Sequence, residues 1–229
     1  MPDAVMLFAA GFGTRMGALT AERPKPLIEV AGRPLVDHAL EIAEGIAPRR
    51  IVANLHYLPD ALEAHLAPRG VALSCETPDI LETGGGLRAA LPLLGAGPVF
   101  TMNTDAVWDG PNPLALLREA WDPARMDALL LCLPQERALG HAGRGDFVIG
   151  PDGRAERGPG LVYAGAQIIE PSGLHDIPMR AFSLNLLWDR MLAAGRLHAI
   201  AYPGRWCDVG RPEGIALAEA MLEGRDVRA

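Results

Sequence analysis

Several features are scarce or missing in this 229-residue chain, and each absence removes a class of protein. No apolar run approaches the roughly 20 residues that cross a bilayer, so no membrane-spanning helix and no membrane partner are expected. The opening Met1-Pro2-Asp3-Ala4 lacks the basic stretch of a secretory signal, which leads to the expectation of a soluble, cytoplasmic protein. Cysteine is limited to Cys75, Cys132 and Cys207. An odd number, each alone in apolar or strand-like surroundings, argues against a disulfide framework and for buried free thiols. Lysine and arginine form no run and the formal net charge is −7, so nucleic acid is not an expected partner. A small anionic ligand in a locally basic pocket suits such a chain better. The histidines show no metal-ligand spacing, His56 at a strand end being the one placed to line a pocket or to sit solvated in a loop. Internal repeats and low-complexity tracts are absent too.

What is present is ample apolar material, 49% of residues against 21% charged, enough for one α/β domain with a full core. Short apolar runs predict strands over 5–10, 50–55, 71–76, 98–103, 128–133, 161–169 and 197–202. Helical patterns cover 35–45, 59–66, a segment after a second glycine-rich turn running to Leu94, 113–121, a segment capped by Ser183 and running to Ala194, and a last helix opened by Pro212. This alternation implies right-handed crossovers and a three-layer, Rossmann-like, mainly parallel sheet flanked by helices. Glycines crowd residues 140–160, where Pro151-Asp152-Gly153 is a hairpin turn, so a small antiparallel insertion beside the sheet is expected.

Two turns carry chemistry. The first strand runs into Gly11-Phe12-Gly13-Thr14-Arg15-Met16-Gly17, whose main-chain N–H groups can form a concavity for phosphate oxygens. Thr14 adds a hydroxyl and Arg15 a planar fork. Lys25 then sits between Pro24 and Pro26, which stiffen the backbone on either side and fix its charge relative to the turn. The dinucleotide fingerprint would need glycine where Met16 stands, and the NTPase P-loop would need a Gly-Lys-Ser/Thr that is missing. The second turn, Glu82-Thr83-Gly84-Gly85-Gly86, is a poor helix start by propensity, leaving a flexible loop or one against which something flat lies directly. Asp105 follows a central strand at its carboxyl end, where α/β sheets place their ligands. Asp208 lies in Trp206-Cys207-Asp208-Val209-Gly210. Each aspartate could instead serve a turn, and Asp105 a helix cap.

Gly-x-Gly-Thr-Arg-Met followed by Pro-Lys-Pro-Leu resembles the signature of the sugar-1-phosphate nucleotidylyltransferases, and the likeness continues over the first two-thirds of the chain and a piece near its end. The resemblance implies the nucleotide-diphospho-sugar transferase type of fold in a single domain. About 1–133 would bind nucleotide, about 134–211 sugar, and 212–229 would form a C-terminal helix. It also implies a nucleoside triphosphate and a sugar 1-phosphate as partners, in a monomer or small homo-oligomer. Arg15 would then hold the leaving β,γ-phosphates and Lys25 the α-phosphate. Ala9, Ala10, Gly11, Gly13, Thr14, Asn54, Glu82, Thr83, Gly84, Gly85 and Asp105 would contact nucleotide, the glycine loop reading the base with main-chain groups. Replacing Gly85 should on this view weaken nucleotide binding with little effect on stability. Mg²⁺, which takes hard oxygen ligands, would be held by Asp105 and Asp208. Gly145, Asp146, Glu156, Gly165 and Asn185 would face the sugar, Arg157 standing where many such proteins have lysine. Within the family the motifs look most like the branch moving UMP onto N-acetylmuramate 1-phosphate in cell-wall sugar recycling. Transfer of a nucleotide to mannose or glucose 1-phosphate is the alternative, and a catalytically silent nucleotide-sugar sensor the non-enzyme one.

Overall fold

The structure, a computed structural model, describes residues 1–225; the helix expected over 212–229 spans Glu213–Leu222 in it, and 226–229 lie outside the described residues. Seven strands form the central sheet: β1 (Ala4–Phe8), β2 (Arg50–Leu55), β3 (Ala72–Cys75), β4 (Val99–Asn103), β5 (Ala128–Leu133), β6 (Val162–Ile169) and β7 (Leu197–Ala201). Their order is β7-β5-β6-β4-β1-β2-β3. Pairing is parallel except at β6, which runs antiparallel to both its neighbours, β4 and β5. β5 is buried along its whole length, which is why it reads as an unbroken apolar run.

Helices α1 (Leu35–Glu44), α2 (Pro59–Leu66), α3 (Glu82–Leu94), α4 (Pro113–Ala120), α5 (Asn185–Ala193) and α6 (Glu213–Leu222) flank the sheets. α1 buries Val36, Ala39, Leu40 and Ala43, the spacing of one helical face, in a core shared with Val5, Leu7 and Phe100, while Leu35 packs in a separate cluster with Met16 and Val107. Met6, Val52, Leu87 and Leu130 lie in a second core. Asn112 caps α4 by accepting from the N–H groups of Leu114 and Ala115. Among the described residues no helix is long and apolar enough to cross a membrane.

The structure departs from the sequence-based expectations in several places. β1 ends at Phe8, releasing Ala9 and Ala10 into the turn. α5 begins at Asn185 rather than Ser183, whose hydroxyl still accepts from the Asn185 N–H at 3.2 Å. Cys75 is exposed while Cys132 and Cys207 are buried. The expected insertion is present as Phe147–Ile149 paired antiparallel with Ala155–Arg157. Two short strands were not anticipated: Ala106–Asp109 and Ala138–Leu139 flank Arg205–Asp208 in a small sheet. The largest departure is α3, which takes in Gly84, Gly85 and Gly86 as buried helical residues.

Candidate active site

The first turn is built tightly. Gly13 has φ 64, and a Cβ there would lie 2.8 Å from Lys25 Cβ and 2.9 Å from Thr20 Cγ2. The glycine therefore lets the turn press against the lysine that the flanking prolines hold. Gly11 differs: it is exposed, and nothing lies within 4 Å of where its Cβ would be. No contact among the described residues requires a glycine at that position.

Lys25 is buried, and its Nζ donates to Asp105 Oδ2 at 2.8 Å. Asp105 is placed by two hydrogen bonds, one from the residue before it and one to its own carbonyl. The Thr104 hydroxyl donates to the Phe8 carbonyl at the end of β1, and the Val209 N–H donates to the Asp105 carbonyl at 2.9 Å. Because Asp208 pairs with Ala106 across the small sheet, this register brings the two aspartates together. Val107, Cys207, Val209 and Met221 form the apolar seat beneath them. A Cβ on Gly210 would lie 2.9 and 3.0 Å from the Asp208 carboxylate oxygens and 3.1 Å from Arg15 Nη2, making guanidinium and carboxylate neighbours across that glycine.

Burial, and then the Asp105 charge, push the Asp208 carboxyl above its ordinary range, with Lys25, Arg15 and His141 opposing the shift. The two carboxylates repel, an effect that Lys25 and Arg15 offset in part and a further cation would offset more. Among the described residues no group of three or more His, Cys, Asp or Glu could hold a metal by itself. A hard divalent ion here would take the two aspartates and complete its shell with phosphate oxygens and water, the ligand set that suits Mg²⁺. Cys207, next in sequence, is no nucleophile, because burial and then Asp208 push its thiol up to about 12.

A cavity opens beside Lys25 and Asp105, and Ala9, Ala10, Gly11, Asn54, Glu82 and Thr83 are among the residues that line it. Arg15 and Asp208 are not part of that lining, and Thr14 opens the short helical turn that carries Arg15. The structure corrects the role given to Gly84 and Gly85. Their N–H groups both donate to the Phe182 carbonyl, at 2.8 and 3.1 Å, and are thereby committed. A Cβ on Gly84 would meet the Phe182 ring at 2.5 Å, and one on Gly85 the Arg180 carbonyl at 2.5 Å. These glycines exist so that the 180–182 segment can pack onto the first turn of α3.

One important residue is absent from the expected set. Glu76 is 1% exposed and lines the cavity. Its Oε1 accepts from Asn54 Nδ2 and its Oε2 from the Leu81 N–H, both at 2.6 Å, while Asn54 Oδ1 accepts from the Ala9 N–H at 2.8 Å. The relay ties the phosphate turn to the far wall. A charged residue just past a strand's carboxyl end was the available signal. His56 joins the same wall, with Nδ1 2.9 Å from the Glu76 carbonyl and its ring edge-on to Phe12.

A second cavity adjoins the first, sharing Phe8, Thr83 and Asn103. Of the expected sugar residues, Asp146 and Asn185 line it. Glu156 does not: it alternates with Arg157 along the Ala155–Arg157 strand, and Arg157 is the one that reaches the cavity. Gly145 and Gly165 serve the backbone, with φ of 83 and 77; a side chain at Gly145 would strike the Gly160 carbonyl, and one at Gly165 would crowd Asn103.

The chain is 42% identical to the N-acetylmuramate alpha-1-phosphate uridylyltransferase of Caulobacter vibrioides over 96% of its own length and 97% of that protein. It is 29% identical to a mannose-1-phosphate guanyltransferase of Hypocrea jecorina, over 91% of this chain but 61% of that protein. In fold it matches a UDP-glucose pyrophosphorylase solved with UDP-glucose, at a TM-score of 0.78, 18% identity, 98% coverage of this chain and 100% of that one. A family model described as the MobA-like NTP transferase domain matches residues 5–207, and the chain belongs to that family, among the sugar-1-phosphate nucleotidyltransferases.

Proposed function

We propose that this protein transfers UMP from UTP to N-acetylmuramate α-1-phosphate, with Mg²⁺ as cofactor, giving the UDP-sugar and pyrophosphate. The observation that carries the reading is the similarity to the Caulobacter uridylyltransferase along nearly the whole of both chains. The meeting of Arg15, Lys25, Asp105 and Asp208 supports the chemistry.

In this transfer a phosphate oxygen of the sugar attacks the α-phosphorus, the bond to the β-phosphate breaks, and pyrophosphate leaves. The attacking oxygen is already anionic at neutral pH, so the protein must supply position and positive charge rather than a strong base. Lys25 is pre-set for this. Its ion pair with Asp105 holds both groups in place before substrate arrives, and the lysine then turns to the α-phosphate oxygens where negative charge builds. Arg15 takes the departing phosphates with its fork. The open face of Gly11 lets the triphosphate approach the main chain without meeting a side chain. Mg²⁺, held by Asp105 and Asp208, would neutralise phosphate charge and orient its oxygens.

A pyrophosphate-release screen crossing four nucleoside triphosphates with a panel of sugar 1-phosphates tests the reading. UTP with N-acetylmuramate 1-phosphate should lead, lose activity in EDTA and regain it with Mg²⁺. Faster release from GTP with mannose 1-phosphate would move the assignment to guanylyl transfer. Release at background for every pair would leave a nucleotide-sugar-binding module.

A further inference from the structure

We propose that Arg157 recognises a carboxylate on the sugar and thereby sets a preference for an acidic sugar 1-phosphate. The inference rests on the functional reading above and adds the residue that separates an acidic sugar from a neutral one.

The second cavity, of about 340 Å³, suits a single sugar ring with its substituents. Among the described residues lining it, Arg157 is the sole cation. Several of its other polar groups are committed, and Asp146 is the one acid among them. Gln167 donates to Thr101 Oγ1 and accepts from Trp188 Nε1, and Asp146 Oδ2 accepts from the Tyr163 N–H. Arg157 is held from one side. Nε and Nη2 donate to Asp189 Oδ1 at 3.0 and 2.7 Å, Nη2 also donates to Asn185 Oδ1 at 3.0 Å, and the guanidinium lies over Phe147, 5.5 Å from its centroid. Nη1 makes no hydrogen bond among the described residues, so part of a pre-oriented fork is left for a ligand. The Asp189 side chain is 56% exposed, and so exposed an ion pair is weak enough for a ligand carboxylate in the cavity to compete with it.

The position of the cavity decides which anion this is. The sugar phosphate must reach the α-phosphorus beside Lys25 and Asp105, in the first cavity, and the two spaces meet at Phe8, Thr83 and Asn103. The ring then falls in the second cavity with its phosphate pointing away from it. An anion required there is one carried by the ring itself. N-acetylmuramate has such a group, the carboxylate of the lactyl ether on O3. A planar guanidinium fits a carboxylate better than a lysine's point charge does, through a charge-assisted and directional contact. Phe147 and Trp188 supply the apolar wall for the methyl groups.

The test compares wild type, Arg157→Met and Arg157→Lys with UTP and Mg²⁺. The substrates are N-acetylmuramate 1-phosphate and N-acetylglucosamine 1-phosphate, the same ring without the lactyl group. Where the neutral sugar is not turned over, its inhibition constant against the acidic one serves instead. Arg157→Met should lower the acidic-to-neutral preference about 10- to 100-fold, chiefly through KM, the size of a lost charge-assisted hydrogen bond. Arg157→Lys should recover part of it. Equal losses for both sugars would assign Arg157 to the phosphate and overturn the inference, as would a preference that moves by less than about threefold. Thermal unfolding checks each variant. If Arg157→Met does not fold, the lysine variant decides: a preference reduced about fivefold supports the inference and an unchanged one overturns it. Wild type that turns over no N-acetylmuramate 1-phosphate with any nucleotide would overturn the functional reading and this inference with it. Wild type that does, beside an Arg157→Met variant of unchanged preference, would overturn this inference alone.

Discussion

Lys25 Nζ and Asp105 Oδ2 lie 2.8 Å apart across 80 positions of sequence, with the lysine side chain only 10% exposed. The pair couples the prolines that fix Lys25 to the small sheet beside Asp105, so neither group is positioned independently of the other. Lys25→Ala and Asp105→Ala should each lower the rate of pyrophosphate release by about 10²- to 10³-fold, as removal of a charge-stabilising group does elsewhere. Both proteins should still unfold cooperatively. Because the residues act as a unit, the double variant should cost little more than the worse single one. A double-mutant cycle on kcat measures this, and a near-normal rate in either single variant would remove that residue's role.

Gly11 and Gly85 should respond in opposite ways to the same substitution. Gly85→Ala puts a methyl 2.5 Å from the Arg180 carbonyl, a main-chain atom that cannot swing away. Overpacking of this kind costs about 1–3 kcal/mol, read from urea unfolding. Gly11→Ala meets nothing in the chain, so stability should hold while UTP affinity, followed by calorimetry, falls several-fold. Equal stability losses at both sites would contradict the packing reason given for Gly85.

These two glycines also mark what can be read from sequence. β5 was legible because full burial shows as continuous apolarity, and the first turn because Arg15, Lys25 and the prolines around it demand a reason together. The glycine run at 84–86 was legible as unusual but not in its cause. An open glycine such as Gly11 and glycines that admit the protein's own 180–182 segment, as Gly84 and Gly85 do, look identical in sequence, and that segment is about 100 positions away. The same holds for the pairing of Arg205–Asp208 with Ala106–Asp109, which joins the two aspartates through contacts distant in sequence. Glu156 was misplaced because a strand's alternation is plain while the face it turns to the cavity is not.

Glu76→Gln tests the relay between phosphate turn and cavity wall. The carboxylate accepts one hydrogen bond at each oxygen, from Asn54 and from Leu81. Glutamine cannot do so, since its NH₂ would oppose one of those donors. An unsatisfied buried donor costs about 1–3 kcal/mol, and loosening Asn54 releases its hold on the Ala9 N–H. Stability should drop by that order, and UTP affinity should weaken with it. A variant with wild-type unfolding and wild-type UTP affinity would show that the relay positions nothing.

His198 predicts a pH dependence of stability unrelated to catalysis. It lies on β7, 1% exposed, with neither ring nitrogen partnered among the described residues. Burial holds its pKa below the ordinary 6.5; Arg125 and Arg154 act the same way, while the Arg196 main chain and Asp152 pull against them. Between the lowered folded value and 6.5 the unfolded chain binds the extra proton, so stability rises with pH through that window. His198 therefore adds its full stabilisation only above 6.5 and loses it as the solution is acidified. Urea unfolding midpoints of wild type should fall between about pH 7.5 and pH 5.5 more steeply than those of His198→Leu. At neutral pH the leucine variant should be no less stable, because it removes two unpaired polar atoms from the interior. Matching slopes in the two proteins would mean that His198 titrates as freely in the fold as outside it.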